Sequence, residues 1–192
     1  MKPNLKSSRG FTLIELMVTI AIGVTLMMVA IPSLTAYKRN AELTSATNTL
    51  LAAINSARGE AMKRGMNTMV VPTNNGTDWN TGWVVFVDKN RTQSYDASAD
   101  QTVLSQGPLQ SYFNITGNGP ANASTPYIKF DASGYPKTKL GGLGNLTLTL
   151  TRTDLAGTAL ADQTRRIVIA NTGRTRTCRP STDTSCTVGA NQ

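Results

Sequence analysis

The residues best suited to contact a ligand lie near the C-terminus, in the run Gly173-Arg174-Thr175-Arg176-Thr177-Cys178-Arg179. Arginine presents a planar fork of N–H donors that matches phosphate oxygens, and in an extended strand Arg174 and Arg176 would lie on one side. Backbone amides and threonine hydroxyls add contacts that read no bases. The run predicts a sequence-independent phosphate-binding surface, and the alternative is a charged edge that only keeps the protein soluble.

The distribution of charge favours the binding interpretation. Residues 137–192 carry eight basic and three acidic side chains, residues 11–136 carry eight of each, and residues 1–10 carry three basic and no acidic side chains. We therefore add Arg179 and Arg166 to the predicted surface. Arg165 and Arg166 would point to opposite faces of a strand, so at most one joins it. Lys137 and Lys139 could extend the surface only if the fold brings them close.

Catalytic and metal-binding patterns find little support. The chain has no histidine, which removes the commonest general base and metal ligand, and it contains no G-x-S-x-G, H-E-x-x-H or P-loop motif. The segment Asp88–Thr92 places oxygens at alternate positions, as a calcium loop would. However, Lys89 and Arg91 lie between them, and the glycine and bidentate glutamate that such a loop needs are missing. We expect a solvated turn, no metal, no cofactor and no enzymatic activity.

The N-terminus predicts a membrane helix. Residues 11–31 are apolar apart from isolated polar positions and would span about 30 Å as a helix. Lys2, Lys6 and Arg9 precede this stretch and would keep the N-terminus in the cytoplasm. Glu15 lies one turn inside the helix, where a carboxylate needs a partner or must snorkel to the interface.

The run Gly10-Phe11-Thr12-Leu13-Ile14-Glu15 resembles the type IV prepilin motif. The resemblance implies a leader of residues 1–10, cleavage after Gly10 by a prepilin peptidase and N-methylation of Phe11. It also implies that Glu15 pairs with the N-terminus of a neighbouring subunit during assembly, so that the partners are other major and minor pilins. The chain would sit as a single-pass protein in the bacterial inner membrane, with its head in the periplasm, before joining a cell-surface pilus. In an exported chain Cys178 and Cys186 are expected to form a disulfide.

The helix is expected to continue beyond the membrane over residues 32–65. Pro32 would kink it near the membrane exit, and the alternative is two helices broken at Pro32. Gly65 is a plausible stop signal. Apolar residues at three- and four-residue steps predict a face that packs on a sheet: Leu34, Tyr37, Ala41, Leu50, Ile54, Ala57 and Ala61.

After Gly65 the pattern becomes strand-like over a head of residues 66–172, followed by a basic, disulfide-closed tail of residues 173–192. The predicted strand runs are 68–71, 83–87, 103–104, 127–130, 146–150 and 167–170. The run Leu146–Thr151 alternates strictly, which predicts one buried and one solvent-exposed face. The fold class is therefore α+β, with a long N-terminal helix packed on an antiparallel sheet, or on two small sheets.

Four segments in order along the chain resemble the family of pilins and pseudopilins that includes FimT and GspH: residues 57–65, 79–88, 128–134 and 166–176. Trp79 and Trp83, in the second segment, are expected to be core residues. The Gly-Arg-x-Arg motif at residues 173–176 resembles that of family members that bind DNA during natural transformation. The resemblance implies non-specific binding of double-stranded DNA for uptake. The alternative is a structural subunit for pilus priming or type II secretion.

Overall fold

A computed structural model describes residues 10–189, and α1 (Leu13–Arg64) begins this part of the chain. Thr12 and Glu15 form a capping box at its start: Thr12 N and Thr12 Oγ1 each donate to Glu15 Oε2 at 2.9 Å, and Glu15 N donates to Thr12 Oγ1 at 3.3 Å. This contact gives Glu15 a local partner that the sequence interpretation did not anticipate.

The end of α1 confirms the predicted stop at Gly65. Gly65 has a φ of +64°, and Met66 N donates to Ala61 O at 3.3 Å, the bond that defines a Schellman cap. The helix is continuous through Pro32, so the alternative of two helices broken at that residue is wrong.

The chain divides into two units, one that ends at Ala41 and one that begins at Glu42. In the first unit the large apolar side chains of α1 that the structure describes, such as Leu16, Met27 and Leu34, are exposed, and an 18-residue window has a mean hydropathy of 2.3. By length and composition this helix is able to cross a membrane.

The packing face of α1 begins later along the helix than predicted. Leu34, Tyr37 and Ala41 were expected to pack on a sheet, but they are exposed and precede the second unit. The buried face begins at Leu43 and continues at three- and four-residue steps through Thr47, Leu50, Ala53, Ile54, Ala57 and Ala61. The sequence pattern could not show where along the helix the head begins, because apolar spacing continues on both sides of that point.

The rest of the described chain is β-rich. Its elements are β1 (Thr68–Pro72), β2 (Trp83–Val87), β3 (Gln101–Gln106), β4 (Phe113–Gly117), β5 (Ile128–Phe130), β6 (Leu146–Arg152), α2 (Gly157–Asp162), β7 (Arg165–Ile169) and β8 (Thr175–Cys178). The strands form two antiparallel sheets, in the orders β3-β2-β1-β5 and β4-β6-β7-β8. β4 and β8 were not predicted, because polar residues and glycine dominate them. The predicted boundary between head and tail, at residues 172 and 173, lies inside the hairpin that β8 forms with β7.

One core joins α1 to both sheets. Ile54 of α1, Val85 of the first sheet and Leu148 of the second belong to the same cluster of buried side chains. Trp79 and Trp83 are 2% and 0% exposed and belong to it too, which confirms that they are core residues. One face of the second sheet therefore packs against α1, and the C-terminal residues can pack on its other face.

The alternation of β6 is confirmed on one face only. Leu146, Leu148 and Leu150 are buried in the core, as predicted. Thr147 was expected to be solvent-exposed, but it is 1% exposed, and its backbone N–H donates to Asn118 Oδ1. The outer face of the second sheet is therefore covered near Thr147.

Candidate nucleic-acid interface

The predicted arginines lie on the β7–β8 hairpin, whose turn depends on Gly173. Gly173 N donates to Ala170 O at 2.8 Å, and Ala170 N donates to Arg174 O at 2.9 Å. Gly173 has a φ of +79°, the left-handed region that glycine adopts without steric cost. A three-residue loop that ends in such a residue is a standard hairpin connection, so Gly173 sets the point at which Arg174 enters β8.

Gly173 also lies against a second loop. Arg58 Nε, from α1, donates to Gly134 O at 3.0 Å. A Cβ atom built on Gly173 would lie 2.5 Å from Gly134 O and 3.0 Å from Arg58 Nε. Sequence reasoning missed Arg58, which binds the β5–β6 connection at Gly134 and lies beside the hairpin turn at Gly173.

The register of β8 places its arginines on one face. Val168 pairs with Arg176, and Ile169 pairs with Thr175. Thr175 points towards α1, since its Oγ1 lies 2.7 Å from Asn55 Oδ1. Because side chains alternate along a strand, Arg174 and Arg176 lie on the opposite, outer face. There they line a shallow pocket of about 110 Å³ together with Val168 and Ala170.

The C-terminal segment folds back over this outer face. Cys178 and Cys186 form a disulfide, as predicted. Arg176 Nη2 donates to Ser185 O at 2.9 Å, and Arg176 Nη1 lies 3.5 Å from Asp183 Oδ2. Arg166 Nη1 donates to Cys186 O. Two of the predicted phosphate-binding arginines therefore hold the tail in place.

Asp183 contributes to this arrangement as a charged group. Its side chain accepts hydrogen bonds from the Ser185 hydroxyl and the Ser185 backbone amide. The hydroxyl contact, with smaller contributions from the amide and the nearby Arg176 guanidinium, holds the pKa of Asp183 below its usual value. The carboxylate is therefore ionised at neutral pH and attracts Arg176.

The remaining predicted arginines differ in position. Arg174 is exposed, and its side chain makes no hydrogen bond or ion pair with the part of the chain that the structure describes. Arg179 is also exposed, but it lines a different pocket, with Arg165 and residues of α1. The structure thus groups Arg166, Arg174 and Arg176 on the outer face and places Arg165 with Arg179.

The two lysines have contacts of their own in the β5–β6 connection. Lys137 Nζ lies 4.0 Å from Asp131 Oδ2, and Lys139 Nζ lies 5.0 Å from the centre of the Tyr127 ring. Neither contact involves the outer-face arginines.

The segment at Asp88 shows no arrangement suited to a metal. Asp88 is 1% exposed, so the expected solvated turn is wrong for this residue, although Lys89 and Asn90 are exposed. Asp88 Oδ2 accepts from Gln93 N at 3.2 Å, and Lys129 Nζ donates to Gln93 Oε1 at 3.0 Å. Among residues 10–189 no group of three or more acidic or cysteine side chains is placed to hold a metal ion.

Comparison with known proteins identifies the family of the chain. Residues 46–173, more than half of the chain, match the family described as Type II transport protein GspH. The chain belongs to the GspH family. Residues 5–31 match the prokaryotic N-terminal methylation motif, so this GspH-family member is of the minor pilin and pseudopilin type. Comparison with curated proteins finds no match.

Solved structures of similar fold come from both pili and secretion systems. The type IV minor pilin FimU of Pseudomonas aeruginosa superposes with a TM-score of 0.54 at 18% identity, over 76% of this chain and 94% of FimU. The minor pseudopilin EpsH of the Vibrio cholerae type 2 secretion system superposes with a TM-score of 0.50 at 13% identity, over 72% of this chain and 98% of EpsH. These likenesses establish the type IV pilin-like fold of this GspH-family chain.

Proposed function

We propose that this GspH-family protein is a minor type IV pilin that binds double-stranded DNA without sequence preference, for uptake in natural transformation. The observation that carries the proposal is the placement of Arg174 and Arg176 on one face of β8, an edge strand of its sheet. An edge strand leaves one side open to a large ligand. Residues 137–192 carry a net charge of +5, which attracts a polyanion to this part of the chain.

Arg174 is the principal phosphate ligand in this proposal. Its guanidinium is exposed and makes no contact with a carboxylate of the described residues, so it can meet a phosphate without breaking an existing bond. Guanidinium–phosphate contacts are charge-assisted and fit two oxygens at once. Nothing in such a contact distinguishes one base from another.

Arg176 is expected to bind phosphate less favourably than Arg174, because it must first give up contacts within the protein. It must exchange contacts with Ser185 and Asp183 for a phosphate oxygen. These contacts are replaced by interactions of a similar kind, so we expect a smaller gain in binding from Arg176 than from Arg174. Arg166, whose Nη1 donates to Cys186 O, acts chiefly through the position of the tail.

The proposal is tested with the full chain in non-ionic detergent micelles and two fluorescent duplexes of unrelated sequence. Binding supplied by phosphate neutralisation weakens with salt, and about three contacts give a slope of log affinity against log salt of roughly −3. We expect the Arg174→Ala/Arg176→Ala variant to lose nearly all binding to both duplexes. Circular dichroism checks that it is folded.

The matched control is Lys89→Ala/Arg91→Ala, which removes the same charge from an exposed loop beside the first sheet. This control is expected to bind both duplexes nearly as the wild type does. Equal loss in the two double variants would mean that net charge alone drives binding. Unchanged binding in the Arg174→Ala/Arg176→Ala variant would reject the assigned site.

A second candidate function is a structural subunit that primes pilus assembly or serves type II secretion without binding DNA. The match to a family described by a transport protein favours it. Both candidates require assembly: cleavage after Gly10, methylation of Phe11 and pairing of Glu15 with a neighbouring subunit. The mass of the mature protein tests the first two steps, since removal of residues 1–10 with one added methyl group is expected. Absence of DNA binding at low salt would favour the structural role.

A further inference from the structure

A second cleft lies on the other side of β8 from Arg174 and Arg176. It has a volume of about 250 Å³ and is bounded by α1 on one side and by β7 and β8 on the other. The lining residues belong to the unit that begins at Glu42: Thr44, Thr47, Asn48, Arg165, Thr177, Cys178 and Arg179.

The chemistry of the cleft is that of an anion site. Two guanidinium groups, one side-chain amide and three hydroxyls line it, and no carboxylate is among the lining residues that the structure describes. Thr47 is 3% exposed, and its hydroxyl donates to Leu43 O at 2.7 Å, so it shapes the wall. Asn48 is exposed and makes no hydrogen bond through its amide with the described part of the chain, so that amide is available to a ligand.

Arg165 is held firmly in the wall of the cleft. It is 8% exposed, and its Nη1 donates to Asp162 O at 2.9 Å and to Thr164 O at 3.0 Å. These carbonyl contacts orient the guanidinium in the wall. Burial lowers the pKa of Arg165, and the nearby positive charge of Arg179 lowers it further. An anion between Arg165 and Arg179 would reduce both the burial cost and the repulsion.

We propose that this cleft binds a phosphodiester of the DNA backbone, with Arg165, Arg179 and Asn48 as its ligands. The inference rests on the proposed function and adds a second phosphate contact to it. Because β8 is an edge strand, a DNA backbone that crosses the edge meets Arg174 on one side and Arg179 on the other. The two residues are five positions apart, roughly 16 Å in extended chain.

The test introduces a carboxylate into the cleft by Asn48→Asp. The change is isosteric and lies on an exposed position of α1, so the fold is expected to persist. The matched control is Ser45→Asp, which adds the same charge one turn away, at an exposed position that does not line the cleft. Both variants change the long-range field equally, so a difference between them reports contact in the cleft. Arg179→Gln is a second variant, which removes one ligand at an exposed position.

Inorganic phosphate and duplex DNA are the two probes, applied to the full chain in non-ionic detergent micelles. In the wild type, phosphate is expected to shift the amide NMR signal of Thr177 saturably, and Asn48→Asp is expected to abolish this shift. On DNA, Asn48→Asp and Arg179→Gln are expected to weaken binding about three- to tenfold and to reduce the magnitude of the salt slope by about 1. Ser45→Asp is expected to leave the slope unchanged.

The outcomes separate this inference from the proposed function. DNA binding that depends on Arg174 but is equal in Asn48→Asp and Ser45→Asp would overturn the second site alone. No DNA binding by the wild type at low salt would overturn both. Vesicles of anionic lipid test the other source of a phosphodiester. Loss of vesicle binding in Asn48→Asp with unchanged DNA binding would assign the cleft to a lipid headgroup and overturn the inference.

Discussion

Replacement of Gly173 by alanine tests the geometry of the hairpin that presents Arg174. Two effects combine at this position. A left-handed backbone costs an L-residue about 1–2 kcal/mol. The new Cβ would also lie 2.5 Å from Gly134 O, a backbone atom, so the two loops must separate and strain the bond from Arg58 Nε. A hydrogen bond from a charged donor contributes about 1.5–3 kcal/mol.

The expected result for Gly173→Ala is a loss of about 3 kcal/mol in the free energy of unfolding. This estimate includes the gain of about 0.4–1 kcal/mol from the reduced entropy of the unfolded chain. For a chain of this size the loss corresponds to a decrease in Tm of about 6–12 °C. Urea unfolding followed by tryptophan fluorescence is suited to the measurement, since Trp79 and Trp83 are both buried in the head.

Gly141→Ala is the matched control for this prediction. Gly141 has a φ of +89°, but a Cβ built on it meets no atom within 4 Å. The control therefore contains the backbone strain without the contact and is expected to lose only about 1 kcal/mol. Equal losses in the Gly173→Ala and Gly141→Ala variants would refute the role assigned to the contact between the two loops.

Two further predictions concern the tail and the core. The pKa of Asp183 is lowered in the folded protein by its contacts with Ser185 and Arg176. These contacts therefore contribute fully to stability above the usual carboxyl pKa, and their contribution is lost as the pH falls through the lower folded pKa. We expect the amide NMR signal of Ser185 to change below about pH 4, and Asp183→Asn to remove that pH dependence. A signal that follows pH equally in the variant would exclude Asp183 as the cause. Leu50→Ala, at a position 0% exposed, is expected to lose about 2–5 kcal/mol in urea unfolding. Leu34→Ala, at a position 68% exposed, is expected to change stability by less than about 0.5 kcal/mol, and equal losses would contradict the corrected packing face.

Features that depend on neighbouring residues could be predicted from the sequence. The stop of α1 at Gly65 is confirmed, because a left-handed cap needs a residue that bears little steric cost and the bonds involved span one helical turn. The core positions of β6 are confirmed, because strict alternation of leucine and threonine leaves one apolar face. The capping box at Thr12 and Glu15 is equally local, because its hydrogen bonds join residues three positions apart.

Features that depend on long-range packing could not be predicted. β8 has no apolar alternation, and it is a strand because it pairs with β7. Thr147 is buried although its pattern predicts exposure. Asn118 lies between it and the tail: Asn118 Oδ1 accepts from Thr147 N, and Asn118 Nδ2 donates to Val188 O. The sequence pattern does not indicate which distant segment covers the outer face of a sheet.

The same division applies to the candidate sites. The amino-acid sequence by itself determined that basic charge collects near the C-terminus and that Arg174 and Arg176 would share a face, because charge and strand alternation are properties of the local chain. Only the tertiary structure decided that Arg176 holds the tail, that Arg179 joins Arg165 against α1, and that Arg58 lies beside the turn at Gly173. Arg58 and Gly134 are 76 positions apart, and a contact over that separation exists only when the packed core brings the two segments together.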